Sequence, residues 1–425
     1  MHMKPGNPMF ISESLARAQR LPLTLFMEFA DTSEHPPCRY PDSATTALDV
    51  PDEPRICSRH RAALSLDRLL PHRSRVHGIN FLLNSSNPDW EDGGHSDNDP
   101  ILLYHQFFSE GLQNLQRLDF RAIHLDEEGL TIVTPASFFA MHLPHLKELK
   151  YLGASGGLML AAVDLTSCEI GEWYHESAGR AGPPLIRRGD FQTFLNNNRT
   201  LESLTINDCD FLDDSPQVTT LMTDLKFLKI DCSTNRDLEM ALDSILTPQL
   251  NCLNTVTMSL GLLGDIQVTA TDEFDHTFIF PLCALEELNA HPLRRSGAEI
   301  VTLRLGEGVC TGHPHRDQTL YEFFETLDTL RVLECEGMIT DCTQALSISR
   351  IVPRLEVVRV AVDQTNCMVA LQTLASGLKL RMESGNPLAA VEPLVPRGVE
   401  GLDQGLRAEW ERCFKEVDIS QFLSN

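Results

Sequence analysis

The chain has 425 residues, 42% of them hydrophobic and only 7% aromatic, a balance that suits stacked aliphatic layers better than an aromatic-rich sandwich. With 35 Lys and Arg against 60 Asp and Glu, the net charge of -25 argues against nucleic acid and anionic membrane as partners. The nearest approaches to a basic cluster are the isolated pairs Arg187-Arg188 and Arg294-Arg295.

The N-terminus has no apolar run of signal-peptide length, and no stretch of about 18 apolar residues could span a bilayer, so the expected localisation is cytoplasmic or nuclear. The 12 cysteines are scattered from Cys38 to Cys413 without a CxxC pair, which predicts reduced and mostly buried thiols.

From the N-terminus, Ser12 to Phe29 reads as a helix followed by a Pro-Leu strand. A repeat window then opens at Val76, where Val76, Ile79, Phe81 and Asn84 fit the pattern LxxLxLxxN/C. Residues 88–100 form an acidic, Gly- and Pro-bearing insertion. Further windows start at Leu115 and Leu146, the first preceded by the helix-like LYHQFFSEGL, and another starts at Leu160 with Val163, Leu165 and Cys168. Residues 172–190 carry the Gly, Pro and charge content of a second insertion.

The best window is LESLTINDC, with Leu201, Leu204, Ile206 and Cys209 in every fixed place, followed 24 residues later by Leu225, Leu228 and Ile230. Helix-like FQTFLNNN precedes the first of these, and LEMALDSIL precedes a window at Leu253. Residues 267–280 alternate like a hairpin riding on the array. Windows at Leu285, Ile300, Leu330 and Leu355 complete the set, the last two preceded by the helix-like LYEFFETL and TQALSISRIV. Residues 386–425 form a tail whose helix over 406–417 caps the open end of the array.

A helix before each strand gives αβ units, each able to bury its strand leucines only against the next, so the predicted fold class is α/β. The expected architecture is an irregular leucine-rich-repeat-like solenoid over 12–385, a horseshoe with strands on the concave face and helices on the convex face. Strand side chains alternate, so the fourth and sixth residues of each window point inward and the third and fifth outward.

The outward row predicted to bind a protein ligand is Arg117, Asp119, Glu148, Lys150, Ser203, Thr205, Phe227, Lys229, Thr255, Thr257, Glu287, Asn289, Arg304, Val332, Glu334, Val357 and Arg359. Gly78, Asn80, Ala162, Asp164 and Thr302 occupy the same template positions. Outward apolar residues are the better anchors, and Phe227, Val332 and Val357 stand out.

Two motifs bear on chemistry. Gly153-Ala154-Ser155-Gly156-Gly157 matches GxSxG, which makes a serine hydrolase using Ser155 the alternative from another class, but LMLAAVDL after it reads as a strand where a nucleophile elbow needs a helix. Cys310, His313 and His315 could offer metal ligands, in a spacing that matches no finger or ribbon, so no metal is predicted. Walker-type, HExxH and GxGxxG patterns are absent, and the expectation is a non-enzymatic chain without a cofactor.

SESLARAQRLPLTLFMEF, together with LESLTI and LKFLKI, resembles the F-box and leucine-rich-repeat-like proteins of mushroom-forming fungi, over a span from about Ser12 to about Met382. The resemblance implies a substrate receptor: an F-box docks on an adaptor of a cullin-type ubiquitin ligase, and the repeats hold the protein to be ubiquitinated. That F-box would lie before Ser12, where the sequence has 11 residues. The expectation is therefore a substrate-recognition protein of a cullin-type ubiquitin ligase that lacks its F-box, in a truncated or mispredicted product, with a plain repeat scaffold without ligase contact as the alternative.

Overall fold

The computed structural model describes residues 2–3, 8–30, 68–84, 112–123, 143–152, 162–171, 185–232, 234–246, 253–260, 266–272, 274, 276–282, 300–306, 324–325, 327–335, 352–361, 367–394 and 404–424. They fall in two units, Met1–Leu225 with Asp243–Leu246, and Lys226–Leu242 with Thr247–Asn425. Each is mixed α/β, with a largely parallel sheet and few helices among the described residues.

One nine-residue pattern generates most of the sheet. Leu112-x-x-Leu115-x-x-Leu118-x-Phe120 buries its four named residues, as do Leu143, Leu146, Leu149 and Tyr151. Leu327, Leu330, Leu333 and Cys335 do the same, and so do Val352, Leu355, Val358 and Val360. The first interval is a tight turn, in which the Leu115 N–H donates to the Leu112 carbonyl at 3.0 Å and the Leu355 N–H to Val352 at 3.1 Å. The last positions alternate as a strand, so the period switches from three to two within each copy.

In the first unit, β1 (His2–Met3) leads to helix α1 (Pro8–Ala18) and then to β2 (Leu23–Ala30). β3 (Val76–Asn84), β4 (Arg117–Ile123), β5 (Glu148–Leu152) and β6 (Ser167–Gly171) follow. After β7 (Leu185–Arg187) come β8 (Ser203–Asn207), β9 (Asp210–Leu212) and β10 (Thr220–Leu221). The order β1-β2-β3-β4-β5-β6-β8 is parallel throughout, and β7 pairs separately with β9. Phe120 and Tyr151, opposite each other on β4 and β5, stack at 5.6 Å.

Helix α2 (Arg188–Asn197) forms because Phe191, Phe194 and Leu195 share one buried stripe and Asp190 sits in its first turn, where the helix dipole favours a negative charge. It ends at Asn198, whose buried amide accepts from the Leu165 N–H at 2.9 Å and donates to the carbonyls of Ala162 and Phe194, each at 2.8 Å. This one side chain ties the helix end to the turn that opens β6.

In the second unit, β11 (Phe227–Asp231) precedes helix α3 (Asn235–Asp243). Thr234 and Asp237 hydrogen-bond reciprocally at the start of α3, a capping arrangement that satisfies a free helix N–H. β12 (Ile245–Leu246) belongs to the first unit and pairs with β10. β13 (Leu253–Leu260), β14 (Ile266–Asp272) and β15 (Thr277–Leu282) are followed by β16 (Thr302–Leu305), β17 (Val332–Cys335), β18 (Val357–Ala361) and β19 (Ala390–Leu394). The order is β11-β15-β14-β13-β16-β17-β18-β19, parallel except where β14 runs against its two neighbours.

The long helix α4 (Cys367–Glu383) buries Leu371, Leu374, Leu378 and Arg381 along one stripe. Gly385 stops it at φ +84, with the Asn386 N–H returning to the Arg381 carbonyl at 3.1 Å. Arg381 repeats the role of Asn198. Its buried guanidinium donates to the Val352 carbonyl at 2.8 Å, holding the turn that opens β18, where Val352 takes a φ of +44 unusual for a β-branched residue. Helix α5 (Gln404–Val417) and a 3-10 turn over Ile419–Phe422 pack against α4, and the Ser424 N–H bonds to the Leu388 carbonyl at 2.7 Å.

Several expectations change. The window at Leu160 is misframed: Val163 is 40% exposed and Asp164 sits in the turn at φ +56, while Leu165, Cys168 and Ile170 are the buried positions. The physical reason is that the turn precedes the strand by five residues, and Cys168 stands where other copies carry Leu or Val. The hairpin over 267–280 exists, but β14 and β15 are inserted into the sheet between β11 and β13 instead of riding on it.

β19, within the stretch read as a tail, adds a strand to β18. Helix α4 was not anticipated, and α5 spans the stretch expected over 406–417. The insertion at 88–100, Ser155, Cys310, His313, His315 and the Leu285 window lie outside the described residues, as do LYHQFFSEGL up to Gly111 and TQALSISRIV up to Ile351. Cys168, Cys209, Cys232, Cys335 and Cys413 are buried. No helix among the described residues is long and apolar enough to cross a membrane.

Candidate functional site

Parallel, in-register pairing turns each outward template position into a row across strands. In the first unit one row runs Gly78, Arg117, Glu148, Ser167, Ser203 and the next Asn80, Asp119, Lys150, Glu169, Thr205. In the second unit one row runs Phe227, Thr277, Thr271, Thr255, Thr302, Val332, Val357, Ala390. Its neighbour runs Lys229, Ile279, Thr269, Thr257, Arg304, Glu334, Arg359, Glu392. Glu287 and Asn289 lie outside the described residues, and Ala162 and Asp164 belong to the turn before β6 and not to a row.

Missing from the predicted row are Ser167, Glu169, Thr269, Thr271, Thr277, Ile279, Ala390 and Glu392. Leu165-x-x-Cys168-x-Ile170 would have supplied the first two had Cys168 been read as an inward residue, and the alternation of QVTATD would have supplied Thr269 and Thr271.

Most charged members of these rows pair with one another. On β16 to β19 the Nε of Arg304 lies 2.7 Å from Glu334, and Arg359 lies 2.9 Å from both Glu334 and Glu392. The result is a ladder of alternating sign one residue wide, whose two cations and two anions cancel. Asp119, Arg304 and Glu334 are buried, so these three candidates are held in the protein's own network instead of being presented. The hydrogen bonds to Glu392 and then to Glu334 raise the Arg359 guanidinium above its ordinary pKa.

The first unit uses the same device. Lys150 contacts Glu169 at 2.5 Å, Asn207 donates to the other oxygen of Glu169 at 3.2 Å, and Arg117 stands 3.6 Å from Glu148. Arg121 grips Asp119, two residues earlier on β4, through Nε and Nη2, each at 2.9 Å, and that hydrogen bond is the main cause of its raised pKa. Charged side chains on a parallel sheet stand opposite their register partners, so alternating sign is the arrangement that avoids repulsion.

What remains presented in the second unit is uncharged over most of its width. Phe227, Thr277, Thr271, Thr255, Thr302, Val332 and Val357 are half-buried and carry methyl groups, hydroxyls and one ring. Such a face offers apolar area and hydrogen bonds to another surface. Among the described residues no group of three or more His, Cys, Asp or Glu could hold a metal ion. No model of a known protein family matches the chain, and no curated protein does.

Proposed function

We propose that the chain is a non-enzymatic protein-binding repeat protein, an irregular leucine-rich-repeat-like solenoid whose outward strand face receives its ligand. The observation that carries this reading is the row of half-exposed Phe227, Val332 and Val357 with the threonines between them. Apolar anchors surrounded by satisfied polar groups are the composition of a protein interface centre.

The ligand is a substrate protein presented to a cullin-type ubiquitin ligase. The helix α1 followed by the strand β2 supports this role, since the same succession opens the repeat region of the F-box receptors that the sequence resembles. Affinity purification of the tagged chain from its source cell tests it. Recovery of cullin-ligase adaptor subunits together with a ligand is the expected result. Recovery of a ligand without any adaptor across replicates would overturn the ligase role and leave a plain scaffold.

A further inference from the structure

Of the eleven large hydrophobic side chains exposed among the described residues, five belong to one part of the first unit: Leu185, Leu212, Val218, Leu221 and Leu246, exposed by 52, 42, 49, 50 and 49%. None of them is in the sheet rows described above. Four of them sit on the two short ladders, β7 with β9 and β10 with β12, Val218 lies two residues before β10, and α2 packs against both β7 and β10. Leu221 and Leu246 are direct register partners, so two leucines stand side by side on one ladder with half their surface in water. Gln192 of α2 donates to the Pro216 carbonyl at 3.3 Å, which ties the segment between the ladders to the same helix.

The rim of this patch is acidic. Asp210 is the register partner of Leu185, Asp213 and Asp214 directly follow Leu212, and the Asp243 carbonyl takes the Thr219 hydroxyl at 2.9 Å beside Val218. Arg188 is committed to Asp213 at 2.6 Å, and Arg187, opposite Leu212, is the basic exception. Exposed apolar side chains that recur on neighbouring elements mark a candidate interaction site. The acidic rim and the chain charge of -25 oppose both a second copy and an anionic membrane.

We infer that this patch docks a cationic amphipathic segment of a partner protein, whose leucine-type residues cover Val218, Leu221 and Leu246 while its lysines or arginines meet Asp210, Asp214 and Asp243. This site is separate from the sheet face and does not rest on its proposed role.

The probe is a synthetic helical peptide with leucines at i, i+3, i+4 and i+7 and lysines elsewhere, titrated into the full chain by fluorescence anisotropy. Two control peptides replace the lysines by glutamates or the leucines by serines. The expected result is binding of the Lys/Leu peptide alone, weakened about tenfold by Leu221→Ser with Leu246→Ser and also weakened by Asp210→Asn with Asp243→Asn. Phe274→Ser, which removes an exposed ring of the second unit, should leave binding unchanged.

Equal binding of the Lys/Ser or the Glu/Leu peptide would overturn the inference, as would equal binding by either patch variant or no binding at all. Dimerisation of the free chain that Leu221→Ser abolishes would also overturn it, by making a second copy the occupant. Circular dichroism checks each variant. If the serine variant has lost its fold, the asparagine variant, which removes no apolar contact, decides by the same criterion.

Discussion

Arg359 donates to Glu334 at 2.9 Å across adjacent parallel strands, and Glu334 is held from its other side by Arg304 at 2.7 Å. Glu334 is therefore a buried anion shared by two cations. Removing it takes the Glu334 carboxylate away from the buried Arg304 and from Arg359, and breaking a buried pair by deleting one partner is costly. Glu334→Ala should destabilise the second unit by about 3 kcal/mol in urea unfolding. Arg304→Met combined with Glu334→Leu should recover most of that loss, and a double variant no more stable than Glu334→Ala would show that the ladder is not the cause.

Asn198 satisfies three backbone groups at once. Asn198→Ala leaves the Leu165 N–H and the carbonyls of Ala162 and Phe194 without this partner, at a cost of about 2 kcal/mol. Hydrogen exchange of the Leu165 amide should accelerate in this variant more than that of Leu228 in the second unit. Equal acceleration at both would deny that Asn198 acts as a local clamp.

Gly171 ends β6 where a side chain has no room. A Cβ placed there would lie 2.3 Å from the Asn207 carbonyl oxygen and 2.6 Å from the Asn207 Cβ, so the β6 to β8 pairing would have to part. Gly171→Ala should cost about 2 kcal/mol or more through this overlap. An alanine variant as stable as the parent in thermal unfolding would refute the close approach.

The Cys168 thiol is buried, and desolvation followed by the nearby Glu169 charge raises its pKa well above the ordinary value of 9.0. Desolvation likewise raises the Tyr151 hydroxyl above 10.0. For an acid whose folded pKa is raised, the folded state keeps a proton that the unfolded state releases. The contribution is complete below the unfolded value and is lost as pH rises from there toward the folded value. Stability should fall above pH 9.0, with Cys168 contributing a slope of about 1.4 kcal/mol per pH unit. Cys168→Ala should show a shallower slope over that range, whatever its absolute stability, and an unchanged slope would count against burial as the cause.

Much of the strand framework was legible because Leu-x-x-Leu-x-Leu records both a turn and an alternation, and these survive long insertions. The frame failed at Leu160, where Val163 imitates an inward residue and the buried Leu165 belongs to the turn at Asp164 and not yet to the strand. The ion-pair ladders were not legible. Their partners are separated by 19 residues for Lys150 and Glu169, by 25 for Glu334 and Arg359, and by 33 for Arg359 and Glu392. Those intervals depend on insertion lengths that no local pattern fixes. Glu392 was hidden further because β19 follows a long helix and a Pro-containing stretch that resembles a tail.

The central claim is that the uncharged part of the outward sheet face holds a protein ligand. The most direct measurement is quantitative affinity purification of the chain and of a variant carrying Phe227→Ser, Val332→Ser and Val357→Ser, with folding of both verified by circular dichroism. The account predicts that a protein retained by the parent is lost by this variant and kept by the Leu221→Ser, Leu246→Ser control. Retention of the same proteins at the same level by the folded triple variant would contradict it.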